Sequence, residues 1–473
     1  MRIHQRSEAG RLLLDLQPAP AELTAAARAR PGLDPRGPRE VFIELPPGVG
    51  GHEDLHPDLL ALVSLLVVAP YVDSHLDLST PVSRELAGAV SEHLGFELGP
   101  VDADLAPREV PTGSTVTALA FSGGVDSCAA SLMLPEDTIH CFLRRAGGRS
   151  WRPARYRPEA ALASVRAVER AGRPAWASRS NLEFVRRPAG YPVDWSNAAP
   201  AVLTAATRPV SALALGVILE ATYSLSKAGY RSVPGGRALR RWAPVFAAVG
   251  LPLALPLASV SEVVTARMML EEGAHLQPQS CVRGLPGRPC RACVKCFRKG
   301  LIDSAWDGQT PSSSEISRAL TSPEVRGLLR AAPMRCEISI AWALDRMPTA
   351  QDPLLSALSE KTTPARRYAD GLDFLTAIHT PALTLMPEAM KERVLPQLER
   401  FAPLATPAQV TAVQGWDAAA LVSDPDYQRG QARVLDLVPD RQPWTGEVRR
   451  RAREISWSAA GAATGIASAA RRR

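Results

Sequence analysis

Between Thr115 and Leu257 the chain repeats one rhythm: a short apolar run, a turn, then a stretch with apolar residues three and four apart. The runs Thr115–Phe121, Thr138–Leu143, Pro174–Arg179, Ser211–Gly216 and Leu251–Leu257 predict buried strands. Helical spacing separates them, as in Glu159–Arg170, and Val260–Glu271 follows the last run. Such alternation predicts an α/β fold: a doubly wound parallel sheet with helices on both faces. Ligands of these sheets bind beyond the C-terminal ends of the strands. The segment from Ser122 falls at such an end, as do Arg144-Arg145, Arg179-Ser180-Asn181 and Gly216. A residue as small as Gly216 lets an adenine or ribose come close.

The flanks read differently. Val41–Leu45 predicts a strand before a Pro/Gly turn, and Leu59–Val68 an apolar helix. Val82, Leu86, Val90 and Leu94 share one helical face. Gly99–Ser114, with three prolines and two glycines, reads as a linker. The expected organisation is an N-terminal α+β domain over 1–112, the alternating core over 113–308 and a helical C-terminal domain over 309–445. In the last, Ser312-Ser313-Ser314-Glu315 offers a helix cap, and Leu372–His379 and Met386–Phe401 are amphipathic. Residues 446–473, Ala/Gly/Ser-rich and ending in Arg-Arg-Arg, read as a disordered tail. His52, His56, His75 and His93 are scattered and read as structural or surface residues.

At 473 residues the chain is too long for one ordinary core. Its 46% hydrophobic and 22% charged content is globular. The longest apolar stretch, near Leu59–Tyr71, is too short to span a bilayer, and Met1–Arg6 lacks a signal-peptide core, so a cytoplasmic protein with no membrane partner is expected. The net charge of +7 comes from 55 basic residues, of which only five are lysine. This Arg bias weakens the basic balance as a sign of nucleic acid, which is not an expected partner. A small phosphate-bearing substrate suits the charge equally well. A homodimer is compatible with the sequence, which specifies no oligomeric state.

The chemistry concentrates at two places. Ala118–Phe121 runs straight into Ser122-Gly123-Gly124-Val125-Asp126-Ser127, and an Ala/Leu/Met-rich helical pattern follows. A strand, a glycine turn and a helix start place free backbone N–H groups and the positive helix end at one spot, which is an anion site. Gly123 and Gly124 let phosphate approach the backbone. Ser122 and Ser127 add hydroxyls. Asp126 repels an anion unless a cation lies between them, and Mg²⁺ is the simplest candidate. The loop is neither a Walker sequence nor a dinucleotide fingerprint.

The second place is Cys281-x8-Cys290-x2-Cys293-x2-Cys296, four of the seven cysteines within sixteen residues. Without a secretory signal such clustering points to metal rather than disulfides. Four thiolates suit a closed, structural tetrahedral Zn²⁺, and an iron–sulfur cluster accepts the same set. Two of the five lysines, Lys295 and Lys299, lie in this motif beside Arg283, Arg291 and Arg298. They offer positive charge to phosphates.

Together these motifs resemble the PP-loop (N-type) ATP pyrophosphatases, whose loop reads SGGxDS, and within them the 7-cyano-7-deazaguanine synthase family, which pairs that loop with a C-x8-C-x2-C-x2-C zinc knuckle. The resemblance covers about Thr115–Gly300. In length and layout the whole chain also looks like the muramoyl-dipeptide glutamate epimerases, with the Asn181–Pro188 segment and the Cys-Val-Lys-Cys-Phe-Arg-Lys knuckle as points of likeness. The resemblance implies ATP and Mg²⁺ at Ser122, Gly123, Gly124, Asp126 and Ser127, with Gly216 and Lys295 beside them, and Zn²⁺ at Cys281, Cys290, Cys293 and Cys296. It implies an ATP-dependent enzyme that adenylates a small carboxylate and releases AMP and pyrophosphate. The specific expectation is epimerisation of the terminal L-Glu of a UDP-linked muramoyl dipeptide. The alternatives are a nitrile or amide synthase, a tRNA-modifying enzyme, or a nucleotide-binding module without catalysis. Asp126, Glu183 and Asp194 are the catalytic candidates, with Tyr223, Glu220, Lys227 and Glu262 as further acid/base candidates. Arg144, Arg145, Arg186 and Arg187 are candidates for holding substrate anions.

Overall fold

A computed structural model describes residues 1–23, 32–110, 113–146, 156–226, 229–231 and 237–440. Lys227 and the tail from 446 lie outside the described residues. The ten strands of the main sheet are β1 (Arg2–Glu8), β2 (Arg11–Gln17), β3 (Glu40–Glu44), β4 (His75–Ser83), β5 (Glu97–Asp102), β6 (Thr117–Ala120), β7 (Ile139–Arg145), β8 (Ala175–Ser180), β9 (Ala212–Leu215) and β10 (Leu253–Ala254). Their spatial order is β10-β9-β6-β7-β8-β3-β2-β1-β4-β5. The protein is mixed α/β, with a large, mostly parallel sheet and a helical C-terminal region.

Within β6–β10 every neighbouring pair is parallel. Counted from β6 as the first strand, the order is 3-2-1-4-5, so the chain reverses direction of travel between β6 and β9, a switch point where ligands bind. Side chains of these strands alternate between two apolar layers. Leu119, Phe142, Ala212 and Ala214 pack on one side with Cys128, Met133, Val168, Val264 and Met268. Ala118, Ala120, Ile139, Cys141, Leu143, Leu213 and Leu215 pack on the other with Val202, Phe246 and the Pro57–Val68 helix. Both faces are therefore covered, as the short continuous apolar runs require.

The sheet continues into the first hundred residues through the antiparallel pairs β8–β3, β3–β2 and β2–β1. The expected linker at Gly99–Ser114 is a strand in its first part: Gly99, Pro100 and Val101 lie in β5. This strand is the outer edge of the sheet, where a proline without an N–H is tolerated. The expected amphipathic helix over Leu372–His379 is not regular either. It divides into a helical turn ending at Leu372 and a 3₁₀ turn over Asp373–Thr376, with Asp370, Gly371 and Leu372 at positive φ. The Ser312 cap forms as a reciprocal capping box with Glu315. Among the described residues no helix is long and apolar enough to cross a membrane.

Candidate functional site at the glycine loop and cysteine cluster

Residues Ser122–Gly124 leave the C-terminal end of the central strand β6 and enter the Val125–Met133 helix. Gly123 has φ +69°, and a Cβ there would meet Ala161 Cα at 2.9 Å, so the turn needs glycine. Three bonds close the loop: Ser122 N–H donates to Ser127 Oγ (3.2 Å), the two serine hydroxyls lie 3.0 Å apart, and Ser127 Oγ donates to Gly124 O (3.1 Å). Gln279 N–H donates to Gly123 O (2.9 Å), and Val125 N–H donates to Ser280 Oγ (3.2 Å). The residues before Cys281 thus brace the loop. No side chain caps this helix from its N-cap, Gly124. Its first-turn N–H groups and positive end face the switch point.

Gly216 stands where β9 ends, and a Cβ there would come within 2.9 Å of Asp126 O and 3.0 Å of Ser127 Cα. Its small size admits the loop backbone itself, which is a reason for glycine independent of any base or ribose.

Asp126 is the link to the cysteine motif. Its Oδ1 accepts from Thr265 Oγ1 (2.9 Å) and from Lys299 Nζ (3.0 Å). Burial pushes the Asp126 carboxyl up, but the Lys299 charge and the two hydrogen bonds outweigh it and hold the group below the usual carboxylate range. Lys299, itself buried, lies 3.7 Å from Glu262 Oε2. Burial lowers its ammonium pKa, and the Asp126 and Glu262 charges more than restore it. Arg298 Nε is 2.9 Å from the same Glu262 oxygen, an ion pair without hydrogen-bond alignment, and Arg298 donates to Cys336 Sγ at 2.8 Å. Behind them Glu262 N–H donates to both oxygens of Glu220 (3.0 Å each), and Ser339 Oγ donates at 3.4 Å. Burial, then the neighbouring Glu262 charge, pushes Glu220 up to about 8. With Glu220 protonated, the cluster holds two carboxylates against two cations. The negative charge of Asp126 is therefore answered by Lys299, and Asp126 does not by itself call for a Mg²⁺.

The lysine is placed by the cysteines. Cys293 is the N-cap of the Val294–Trp306 helix that carries Lys295, Arg298 and Lys299. The four ligand atoms of Cys281, Cys290, Cys293 and Cys296 all lie within 4.8 Å of one another, with Cys290 and Cys296 sulfurs 3.8 Å apart. An ion about 2.3 Å from each thiolate would set neighbouring sulfurs about 3.8 Å apart, so the cage is within metal-binding distance and compatible with a structural zinc. Cys290 N–H donates to Cys281 Sγ (3.3 Å), and Ala292 N–H points at Cys290 Sγ (3.5 Å), bonds that suit charged thiolates.

Beside the cysteine motif lies a cleft of about 380 Å³ lined by Ser280, Lys295, Lys299, Asp303 and Glu315, among others; of the Ser122–Ser127 segment only Val125 lines it. Lys295 is exposed at it and Lys299 stands one helical turn further along the same face.

The other candidates are dispersed. Glu183 is buried and held bidentately by Arg145, with Arg145 NH2 at 2.8 Å from Oε1, while the Arg145 guanidinium lies 4.6 Å from the Tyr156 ring centroid. Asp194 is exposed in the turn before Trp195. Tyr223 is buried, stacked on Tyr230 and edge-on to His379. Arg186 donates to Tyr191 O, and Arg187 sits in a two-residue strand paired with Gly32. Sequence reasoning missed Thr265, Ser280 and Cys336. Thr265 stands one turn after Glu262, and Ser280 precedes Cys281, so helical phase and motif adjacency carried a signal for those two. Nothing local marks Cys336.

Residues 241–417 match a family of unknown function (DUF6395), a span that holds Glu262, the four cysteines, Lys299 and Cys336 but not the glycine loop. No curated protein and no solved structure matches the chain.

Proposed function

We propose that the chain is a PP-loop ATP pyrophosphatase that activates a carboxylate. The observation that carries this reading is the helix start behind Ser122–Ser127, where no side chain caps from Gly124 and Ser280 takes the Val125 N–H, set at the switch point of a 3-2-1-4-5 sheet beside a cleft that Val125 and Lys295 both line. In this reading the first-turn N–H groups and the Ser122 and Ser127 hydroxyls bind the ATP phosphates. A carboxylate oxygen of the substrate attacks the α-phosphorus, the bond to the β-phosphate bridging oxygen breaks, and pyrophosphate leaves. Lys295 and the helix start stabilise the charge that develops on it. Mg²⁺ accompanying ATP would supply further charge neutralisation at the phosphates. A zinc in the Cys₄ cage would have no open position, so its part is to hold the Lys295–Lys299 face against the loop.

The narrower reading, epimerisation of a terminal L-Glu in a UDP-linked muramoyl dipeptide, is carried by the likeness of layout alone. One experiment tests both levels. Incubation with ATP and a panel of ¹⁸O-labelled carboxylates should yield AMP carrying one ¹⁸O when the right substrate is present. Deuterium uptake from solvent at the glutamate Cα would mark the epimerase, and ammonia dependence the synthase. ATP binding without AMP from any carboxylate would leave only a nucleotide-binding module.

A further inference from the structure

A second concave surface, of about 500 Å³, adjoins the cysteine motif. Arg157, Arg283, Arg288, Arg291 and Arg318 make up five of its ten lining residues, and no Asp or Glu lines it. Arginine is about one residue in ten of this chain, so the Arg bias accounts for roughly one such position, not five. Backbone structure holds part of the set in place. Leu285 and Arg288 bridge each other across the hairpin that joins Cys281 to Cys290, and Arg157 N–H donates to Val282 O at 2.7 Å. Arg283 and Arg291 have carboxylate partners at the rim, Glu324 at 2.8 Å and Glu315 at 3.1 Å. Among the described residues no ion pair joins Arg157, Arg288 or Arg318. Arg157, Arg288 and Arg318 are thus exposed at one concavity with no carboxylate partner among the described residues, an arrangement suited to a phosphoryl group, which accepts the guanidinium fork bidentately. The concavity is not isolated: Pro289 and Arg291 line both it and the cleft beside Val125 and Lys295.

We propose that this arginine pocket is a second anion site, taking the phosphoryl groups of a small phosphate or diphosphate ester. Resting on the carboxylate-adenylation reading, the ester is the substrate itself, its phosphoryl end in the arginine pocket and its carboxylate reaching the loop cleft past Arg291. The wall shared by the two hollows makes one ligand spanning both the economical arrangement.

The test is equilibrium binding of inorganic pyrophosphate to the full-length, metal-loaded protein at fixed ionic strength, with and without a saturating non-hydrolysable ATP analogue. The expected result is a pyrophosphate site that survives the analogue and that the triple variant Arg157→Gln/Arg288→Gln/Arg318→Gln weakens by about tenfold or more, with an unchanged thermal midpoint. Lysine at the same three positions should restore only part of the affinity, because it lacks the fork. The proposal is overturned if the triple variant binds pyrophosphate as the wild type does. It is equally overturned if sulfate at the same concentration competes on equal terms, or if only structured RNA and no pyrophosphate is lost in the variant. None of these readouts needs AMP formation. Failure of the adenylation reading would show separately, as an arginine-dependent pyrophosphate site in a protein that makes no AMP.

Discussion

Lys299 Nζ lies 3.0 Å from Asp126 Oδ1, tying the helix that follows the cysteine cluster to the first turn of the helix that follows the glycine loop. The two residues are 173 positions apart, and each is charged in a setting that burial disfavours. Removing one partner leaves the other uncompensated. Lys299→Met should cost about 3–5 kcal/mol, and Asp126→Asn should be costly too because Lys299 then faces only Glu262 and Arg298. The double variant should recover part of the loss. Urea unfolding of the four proteins closes the cycle, and additive effects would show that the pair is not coupled.

The same tie predicts what metal loss does. One zinc per chain is expected by elemental analysis. Cys290→Ser, or chelation, should lower stability by on the order of several kcal/mol and release Lys299 from Asp126, because the Val294–Trp306 helix starts at a ligand, Cys293. Lys299-dependent loop order and cysteine occupancy should therefore fall together. Measured by hydrogen exchange, a Cys290→Ser protein with full protection at Val125–Cys128 would refute this link. A brown as-purified protein would put iron in the cage.

Glu220 makes stability depend on pH. Its folded-state pKa, about 8, lies above its ordinary 4.5, so the folded protein binds the proton more tightly than the unfolded chain does. Its stabilising contribution is full below about pH 4.5 and is lost as pH rises toward 8. Glu337, raised to about 7 by burial, has the same sign. The buried His140 and His379, lowered to about 4, act in the opposite sense, but only below their ordinary 6.5. Between pH 6.5 and 8, wild-type stability should therefore fall, with a Glu220 part of at most about 1.4 kcal/mol per pH unit. Glu220→Gln keeps the shape and removes that part. Identical slopes for wild type and variant would mean that Glu220 does not titrate in this window.

Why these relationships were hard to read follows from particular residues. Strands β6 and β9, and the first part of β7, were legible because both faces are buried, so each is a short, mostly apolar run. Strand β1 was not, since an inward position is occupied by Gln5, whose amide donates to Ser64 Oγ and accepts from Thr80 N–H. A satisfied buried amide looks like surface in a sequence. The glycine loop and the cysteine cluster were legible because their residues are consecutive or nearly so. The Asp126–Lys299–Glu262–Glu220 cluster was not, because its members come from four separated elements and only tertiary packing puts them in one place.

Glu183 illustrates the converse. A carboxylate at a strand end reads as catalytic, yet Arg145 holds both of its oxygens. If the pair is structural, Glu183→Ala should cost about 3–5 kcal/mol by leaving Arg145 half-buried and unpaired. Asp194→Asn, at an exposed turn, should stay within about 0.5 kcal/mol. Loss of turnover in a Glu183→Gln protein of unchanged stability would return Glu183 to the chemistry.

The two loop glycines separate folding from ligand approach. Gly123, at φ +69°, would carry a Cβ 2.9 Å from Ala161 Cα, so Gly123→Ala should cost at least about 1 kcal/mol from the backbone alone and more from the clash. Gly124 has φ −84°, and its nearest neighbours to an added Cβ are the Ser122 and Ser280 hydroxyls at 3.4 Å. Gly124→Ala should therefore fold with a loss of about 0.5 kcal/mol or less. Its methyl group would still stand at the helix start, where the proposed function brings a phosphate close to the backbone N–H groups. The expected outcome is a stable protein with nucleotide affinity reduced about tenfold or more, read by calorimetry with ATP. A Gly124→Ala protein that binds ATP as tightly as the wild type would mean that the loop does not cradle the phosphates.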